Sequence, residues 1–151
     1  MEASIIGVGN VDRGDDAAGR LAARCLRSLG LEALEHSGEG AALLEAWTGA
    51  GRVFLIDAVV TGAPPGTIMV WDAHSAPVPR EAFRCSTHAF GVAEAVELAR
   101  ALDRLPASLT IVGIEAQQFE RGAELSVVVR EAVEQVVELI VQEVAACTNP
   151  D

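Results

Sequence analysis

Two carboxylates and one imidazole stand out as groups able to do chemistry. Asp16 closes the glycine-rich stretch Gly7-Val-Gly-Asn-Val-Asp-Arg-Gly-Asp-Asp16, Asp57 ends the apolar run Val53-Phe-Leu-Ile-Asp57, and His88 lies in Ser86-Thr-His88. A carboxylate set directly after four apolar residues is costly to bury without a partner or a metal. Two oxygens and one imidazole nitrogen suit a divalent cation with open positions, and they also suit general acid–base work. Each residue has a structural reading as well. Asp15 fits a helix N-cap and Asp16 a first-turn carboxylate; Asp57 fits a plain strand end; His88 fits a helix start with Ser86 or Thr87 as its cap. His36 and His74 stand in weaker contexts.

Competing chemistries are less well supplied. Cys85 and His88 are three residues apart, but a thiol–imidazole pair needs an orienting group and an oxyanion hole, and no nearby residue announces either. Cys85 therefore reads as a packing residue, Ser86 lacks a Gly-x-Ser-x-Gly elbow, Cys25 falls on the apolar stripe of the first helix, and Cys147 lies in the C-terminal tail. Gly7-x-Gly9 invites a dinucleotide-binding reading, yet the third glycine of that fingerprint would stand at Asp12, where a carboxylate would repel a pyrophosphate. The glycines read instead as a tight strand-to-helix turn. Glu131, Glu134, Glu138 and Glu143 read as the solvated face of the last helix.

The elements that must position these groups alternate along the chain. Residues 4–9 form a short buried strand, followed from Asp16 by a helix with apolar residues at Ala18, Leu21, Ala22, Cys25, Leu26 and Leu29, stopped by Gly30. A strand at 31–35 and a helix at 40–47 come next. The run 53–57 reads as a central strand covered on both faces. After the turn Gly62-Ala-Pro-Pro-Gly66, residues 67–71 form a strand whose connection is too short for a crossover helix, so it is expected antiparallel beside its predecessor. A helix at 90–102, a strand at 109–114 and a helix from 126 to about 145 complete the chain. The expected fold is a three-layer α/β/α arrangement with a mostly parallel twisted sheet of about five strands, one antiparallel. In such sheets ligands bind beyond the carboxyl ends of the strands, where strand order reverses. Asp16, Asp57 and His88 should converge there.

Composition narrows the class further. The 151 residues, with 50% hydrophobic and 22% charged, suffice for one self-sufficient core, expected as a single domain over residues 1–151. All 11 basic residues are Arg, and the formal charge is −11, which argues against nucleic acid as a partner. No apolar run is long enough for a membrane span, and Met1-Glu2-Ala3-Ser4 lacks the start of a signal peptide, so a cytoplasmic location is expected. Three cysteines without a Cys-x-x-Cys pair point to reduced thiols.

Gly7-Val-Gly-Asn-Val-Asp-Arg-Gly-Asp-Asp-Ala-Ala-Gly19, Leu55-Ile-Asp-Ala-Val59 with Pro65-Gly66, Ser86-Thr-His-Ala-Phe-Gly91 and Val112-Gly-Ile-Glu115 resemble, in order and spacing, the hydrogenase maturation proteases. The likeness spans nearly the whole chain. It implies a cytoplasmic endopeptidase that removes a C-terminal extension from the large-subunit precursor of nickel-iron hydrogenase after nickel insertion. By position it also implies that Asp16, Asp57 and His88 contact the metal. The chain departs from the family after the second strand, with His36-Ser-Gly-Glu-Gly40 where Asp-Gly-Gly-Thr is frequent.

On that resemblance the trio is expected to form an open site that reads nickel carried by the precursor, without a tightly bound resident cofactor. A divalent metal there would also be able to polarise the scissile carbonyl or acidify a water. Two other classes share the same residues: a non-catalytic nickel-dependent maturation chaperone, and a self-contained metallohydrolase with resident zinc.

Overall fold

In each inner strand, odd and even residues serve different helical layers. The computed structural model describes residues 3–84 and 87–147. Its elements are β1 (Ala3–Val8), α1 (Ala18–Ser28), β2 (Ala33–His36), α2 (Gly40–Trp47), β3 (Arg52–Val59), β4 (Ile68–Asp72), α3 (Val92–Ala101), β5 (Ser108–Glu115) and α4 (Val127–Cys147). Short 3-10 turns at Gly14–Ala17 and Arg80–Phe83 precede α1 and α3. Ile5, Phe54, Ile56, Val112 and Ile114 pack with α1 and α4, whereas Ile6, Val53, Leu55, Leu109 and Ile111 pack with α2 and α3. This alternation is the pleat of a sheet buried on both sides.

The five strands form one sheet in the order β2-β1-β3-β5-β4. Pairings β1–β2, β1–β3 and β3–β5 are parallel, and β4 runs antiparallel to β5. The expected α/β/α class and the antiparallel direction of β4 both hold. Its neighbour does not: β4 pairs with β5 rather than β3. The connection leaving β3 passes over the end of β5, where Gly66 N–H donates to the Glu115 carbonyl at 2.8 Å and Glu115 N–H to the Thr67 carbonyl at 2.8 Å. A short connection fixes a reversal of direction but leaves room for a later strand to enter between, as β5 does.

The stripe assigned to α1 also needs correction. Its buried residues are Ala18, Gly19, Ala22, Ala23 and Leu26, while Cys25 is exposed. Small residues face the sheet because the helix axis runs close to β1 and β3. A Cβ on Gly19 would fall against the main-chain oxygens of Val8 and Ile56, and one on Gly7 against Gly19 and Ala23. Such close packing holds the turn between β1 and α1, and Asp16 with it, over the end of β3. Gly19→Ala is expected to lower stability by about 3 kcal/mol through overpacking, read as a fall in the urea midpoint at an unchanged slope.

Candidate functional site

Strand order reverses between β1 and β3, since β2 lies on one side of β1 while β3 and β5 extend on the other. At this place a cavity of about 350 Å³ is lined by Val8, Gly9, Asn10, Asp16, Arg20, Ser37, Asp57, Thr87 and His88. Asp57 continues the row of Val53 and Leu55 on the α2/α3 side of β3, near that strand's carboxyl end. Asp16 comes from the 3-10 turn after β1. His88 comes from the segment before α3. That segment is tied to the segment before α2, because Gly40 N–H donates to the Phe90 carbonyl at 2.8 Å. Gly38, with φ of 93°, brings the same segment against Val8 and the His88 ring. All three sequence-selected residues thus line one cavity. Among the described residues, no three His, Cys, Asp or Glu side chains close on a common point as a preformed metal site.

Burial sets the electrostatics. Asp57 is 4% exposed, and its pKa is pushed well above the usual 3.8, first by loss of water and then by the negative charge of Asp16. The Ala58 backbone opposes this rise. Asp16 is also raised by burial, against the opposing pull of Arg13, the Asn10 N–H and His88. Asn10 N–H donates to Asp16 Oδ2 at 3.2 Å, and Arg13 Nη1 stands 3.7 Å from the same oxygen. Arg13 in turn lies over the Phe119 ring, 5.6 Å from its centroid. Burial thus disfavours the ionised form of both carboxylates, and the charge of Asp16 adds to the penalty on Asp57. A cation entering beside them would relieve that penalty.

Several expectations change at this level. Asp15 is not a helix N-cap. Its carboxylate, 0% exposed, accepts the N–H groups of Gln117, Gln118 and Ser126 at 2.8–3.0 Å and the Ser126 hydroxyl, pinning the segment between β5 and α4 to the turn before α1. The cap proposed at Thr87 is likewise absent. Helix α3 begins five residues later, and Glu94 accepts the Gly91 N–H at 2.9 Å. Cys85 and Ser86 lie outside the described residues. Glu115, a buried carboxylate that sequence reasoning left without a role, accepts Thr61 N–H, Thr61 Oγ1–H and Gly62 N–H, fixing the connection after β3. Asn10, Ser37 and Arg20 were missed as cavity residues. For Arg20 the sequence carries no clear signal, because Asp16 lies in the 3-10 turn and Arg20 in α1.

A sequence model of the hydrogenase maturation protease family matches residues 32–143. The chain belongs to that family. It is similar to the hydrogenase expression/formation protein HoxM of Cupriavidus necator, 28% identical over 142 residues, covering 88% of this chain and 69% of that protein. Protein FrxA of Pyrococcus furiosus is 30% identical over 129 residues, covering 84% and 93%. Among solved structures, the [NiFe] hydrogenase maturation protease HybD from Thermococcus kodakarensis superposes with a TM-score of 0.73 at 28% identity, covering 95% and 99% of the two chains. The hydrogenase maturating endopeptidase HybD from E. coli shares the fold, with a TM-score of 0.79 at 23% identity over 97% and 94%. The cavity at the reversal of strand order therefore sits in a hydrogenase maturation endopeptidase. No helix among the described residues is long and apolar enough to cross a membrane.

The raised pKa of Asp57 gives this protease a defined pH response. The folded state holds the Asp57 proton to higher pH than the unfolded chain does. The resulting stabilisation is present below the ordinary value of 3.8 and is lost as pH rises towards the raised folded value. Asp57→Asn, which keeps the neutral shape and does not titrate, is expected to be more stable than the native chain at about pH 7 and to lose that advantage by about pH 4. Denaturant midpoints of the two proteins at both pH values read the difference directly.

Proposed function

We propose that this protease removes the C-terminal extension of the nickel-iron hydrogenase large-subunit precursor after nickel insertion, in the cytoplasm, and that Asp16, Asp57 and His88 read the nickel the precursor carries. The observation that carries this reading is the carboxylate pair: Asp57 is buried and held towards its neutral form, with the Asp16 charge as a contributing cause. Such a pair favours a substrate that brings positive charge into the cavity and disfavours the same chain without it. That difference in affinity supplies the timing, because an empty precursor lacks the charge that relieves the repulsion.

The residues divide the work by position. Asp16 and Asp57 supply oxygens from the turn after β1 and from β3, and His88 supplies a nitrogen from the segment before α3. The first two sit on elements locked by sheet pairing and by the Asp15 contacts. Nickel held by the precursor completes its coordination with these side chains and draws the scissile segment into the cavity. No tightly bound resident cofactor is part of this account.

Single replacements of Asp16, Asp57 and His88 by Ala are expected to slow processing on the order of a hundredfold in variants that remain folded. The assay is the mass of nickel-loaded, zinc-loaded and nickel-free precursor after incubation with purified protein. Cleavage of the nickel-loaded form alone is the expected result. Equal cleavage of all three forms would contradict nickel recognition, and an unchanged mass in every case would make the protein a chaperone. Stoichiometric zinc in the resting protein, with activity on unrelated amides, would make it a self-contained metallohydrolase.

A further inference from the structure

Three arginines of α1 converge on one carboxylate beside the cavity. Arg20, Arg24 and Arg27 follow a four-then-three spacing that places them on one helical face, opposite Glu35 of β2. Glu35 Oε1 accepts Arg20 Nε at 3.2 Å and Arg24 Nη2 at 2.8 Å. Its Oε2 accepts Arg24 Nε at 3.1 Å and Arg27 Nη2 at 2.7 Å. The Arg24 and Arg27 hydrogen bonds, with a further contribution from Arg20, hold the Glu35 carboxyl at about 2. One anion thus answers three cations, leaving local positive charge in a chain whose formal charge is −11.

Of the three, Arg20 lines the cavity with Asp16, Asp57 and His88; Arg24 lines a separate groove between α1 and α4. Arg20 is bound through Nε, and among the described residues its two Nη atoms make no hydrogen bond. Its side chain is 29% exposed, so these donors remain reachable. It carries the one guanidinium among the described lining residues, the one charged donor in a fixed fork beside the neutral donors of Asn10, Ser37 and Thr87. A peptide segment entering such a cavity brings carbonyl oxygens that need donors. A guanidinium fixed at one nitrogen offers the other two in a set direction, with less side-chain freedom left to lose.

We propose that Arg20 is a specificity-determining anchor for the precursor chain: held by Glu35 through Nε, it donates the N–H groups of its Nη atoms to an acceptor oxygen of the segment beside the scissile bond. That oxygen is a main-chain carbonyl or an acidic side-chain carboxylate. The inference rests on the reading of this cavity as the cleavage site and adds a substrate contact outside the metal-reading trio.

The test compares Arg20→Ala, Arg20→Lys, Arg24→Ala and Arg27→Ala, with the dissociation constant for nickel-loaded precursor measured directly and KM and kcat measured by precursor mass. Arg20→Ala is expected to raise both the dissociation constant and KM about tenfold or more, the loss of one charge-assisted contact, with kcat within about threefold of the native value. Arg24→Ala and Arg27→Ala, which loosen the same Glu35 cluster away from the cavity, are expected to leave both near the native values. Recovery by Arg20→Lys together with strong weakening of native binding by salt identifies a carboxylate as the acceptor. Poor recovery with weak salt dependence identifies a main-chain carbonyl. Native-like binding by Arg20→Ala, or an equal loss in Arg24→Ala and Arg27→Ala, would overturn the proposal. Arg20-dependent binding with an unchanged precursor mass would support the anchor while contradicting the proposed cleavage.

Discussion

A carboxylate taken out of water must be met by donors or by a cation, and this requirement organises the carboxyl end of the sheet. Asp15, Asp16, Asp57 and Glu115 are all buried there. Asp15 and Glu115 are each surrounded by main-chain N–H groups and a hydroxyl. Asp16 receives one N–H and the nearby Arg13. Asp57 meets the Ala58 backbone but also the like charge of Asp16, and shifts towards its neutral form. Asp15 and Glu115 fix the segments around the cavity, and Asp16 and Asp57 line it.

The fold places that imbalance where a substrate can reach it. Parallel pairing of β1 with β3 puts the turn after β1 beside the end of β3, and the contact between Gly7 and Gly19 draws α1 down onto the strands. Asp15 then ties this turn to the segment after β5, while Glu115 ties the connection after β3 to the end of β5. Both ties are made by short, buried side chains rather than by long flexible ones. Asp16 and Asp57 are therefore carried by backbone fixed on several sides, which a site that discriminates one loaded substrate from an empty one needs.

What could be read from the sequence followed from local periodicity. The central strand at β3 and the final helix show their burial in consecutive or three-and-four-spaced apolar residues, and α2 begins and ends where its sequence indicates. Asp57 stood out because a charge after an apolar run is costly, and it proved buried. The misreadings concern relations over distance. The partners of Asp15 are 102 to 111 residues away, so a local cap was the simpler inference. Cys25 falls in the stripe of larger apolar residues, whereas the tight contact with the sheet selects Gly19, Ala22 and Ala23. The seat of β5 between β3 and β4 depends on the crossover through α3, which no feature of the short connection specifies. His36 sits at the end of β2 with its Nδ1 accepting the Gly38 N–H at 2.9 Å, and the two flank Ser37 in the cavity wall.

The central claim is that burial, with the charge of Asp16 beside it, pushes the Asp57 carboxyl towards its neutral form. A carbon-13 titration of the Asp57 carboxyl group in the isolated protein measures this most directly. The account predicts a midpoint well above the ordinary 3.8 that moves down when Asp16 is replaced by Asn. An ordinary midpoint, or one indifferent to Asp16→Asn, would contradict it.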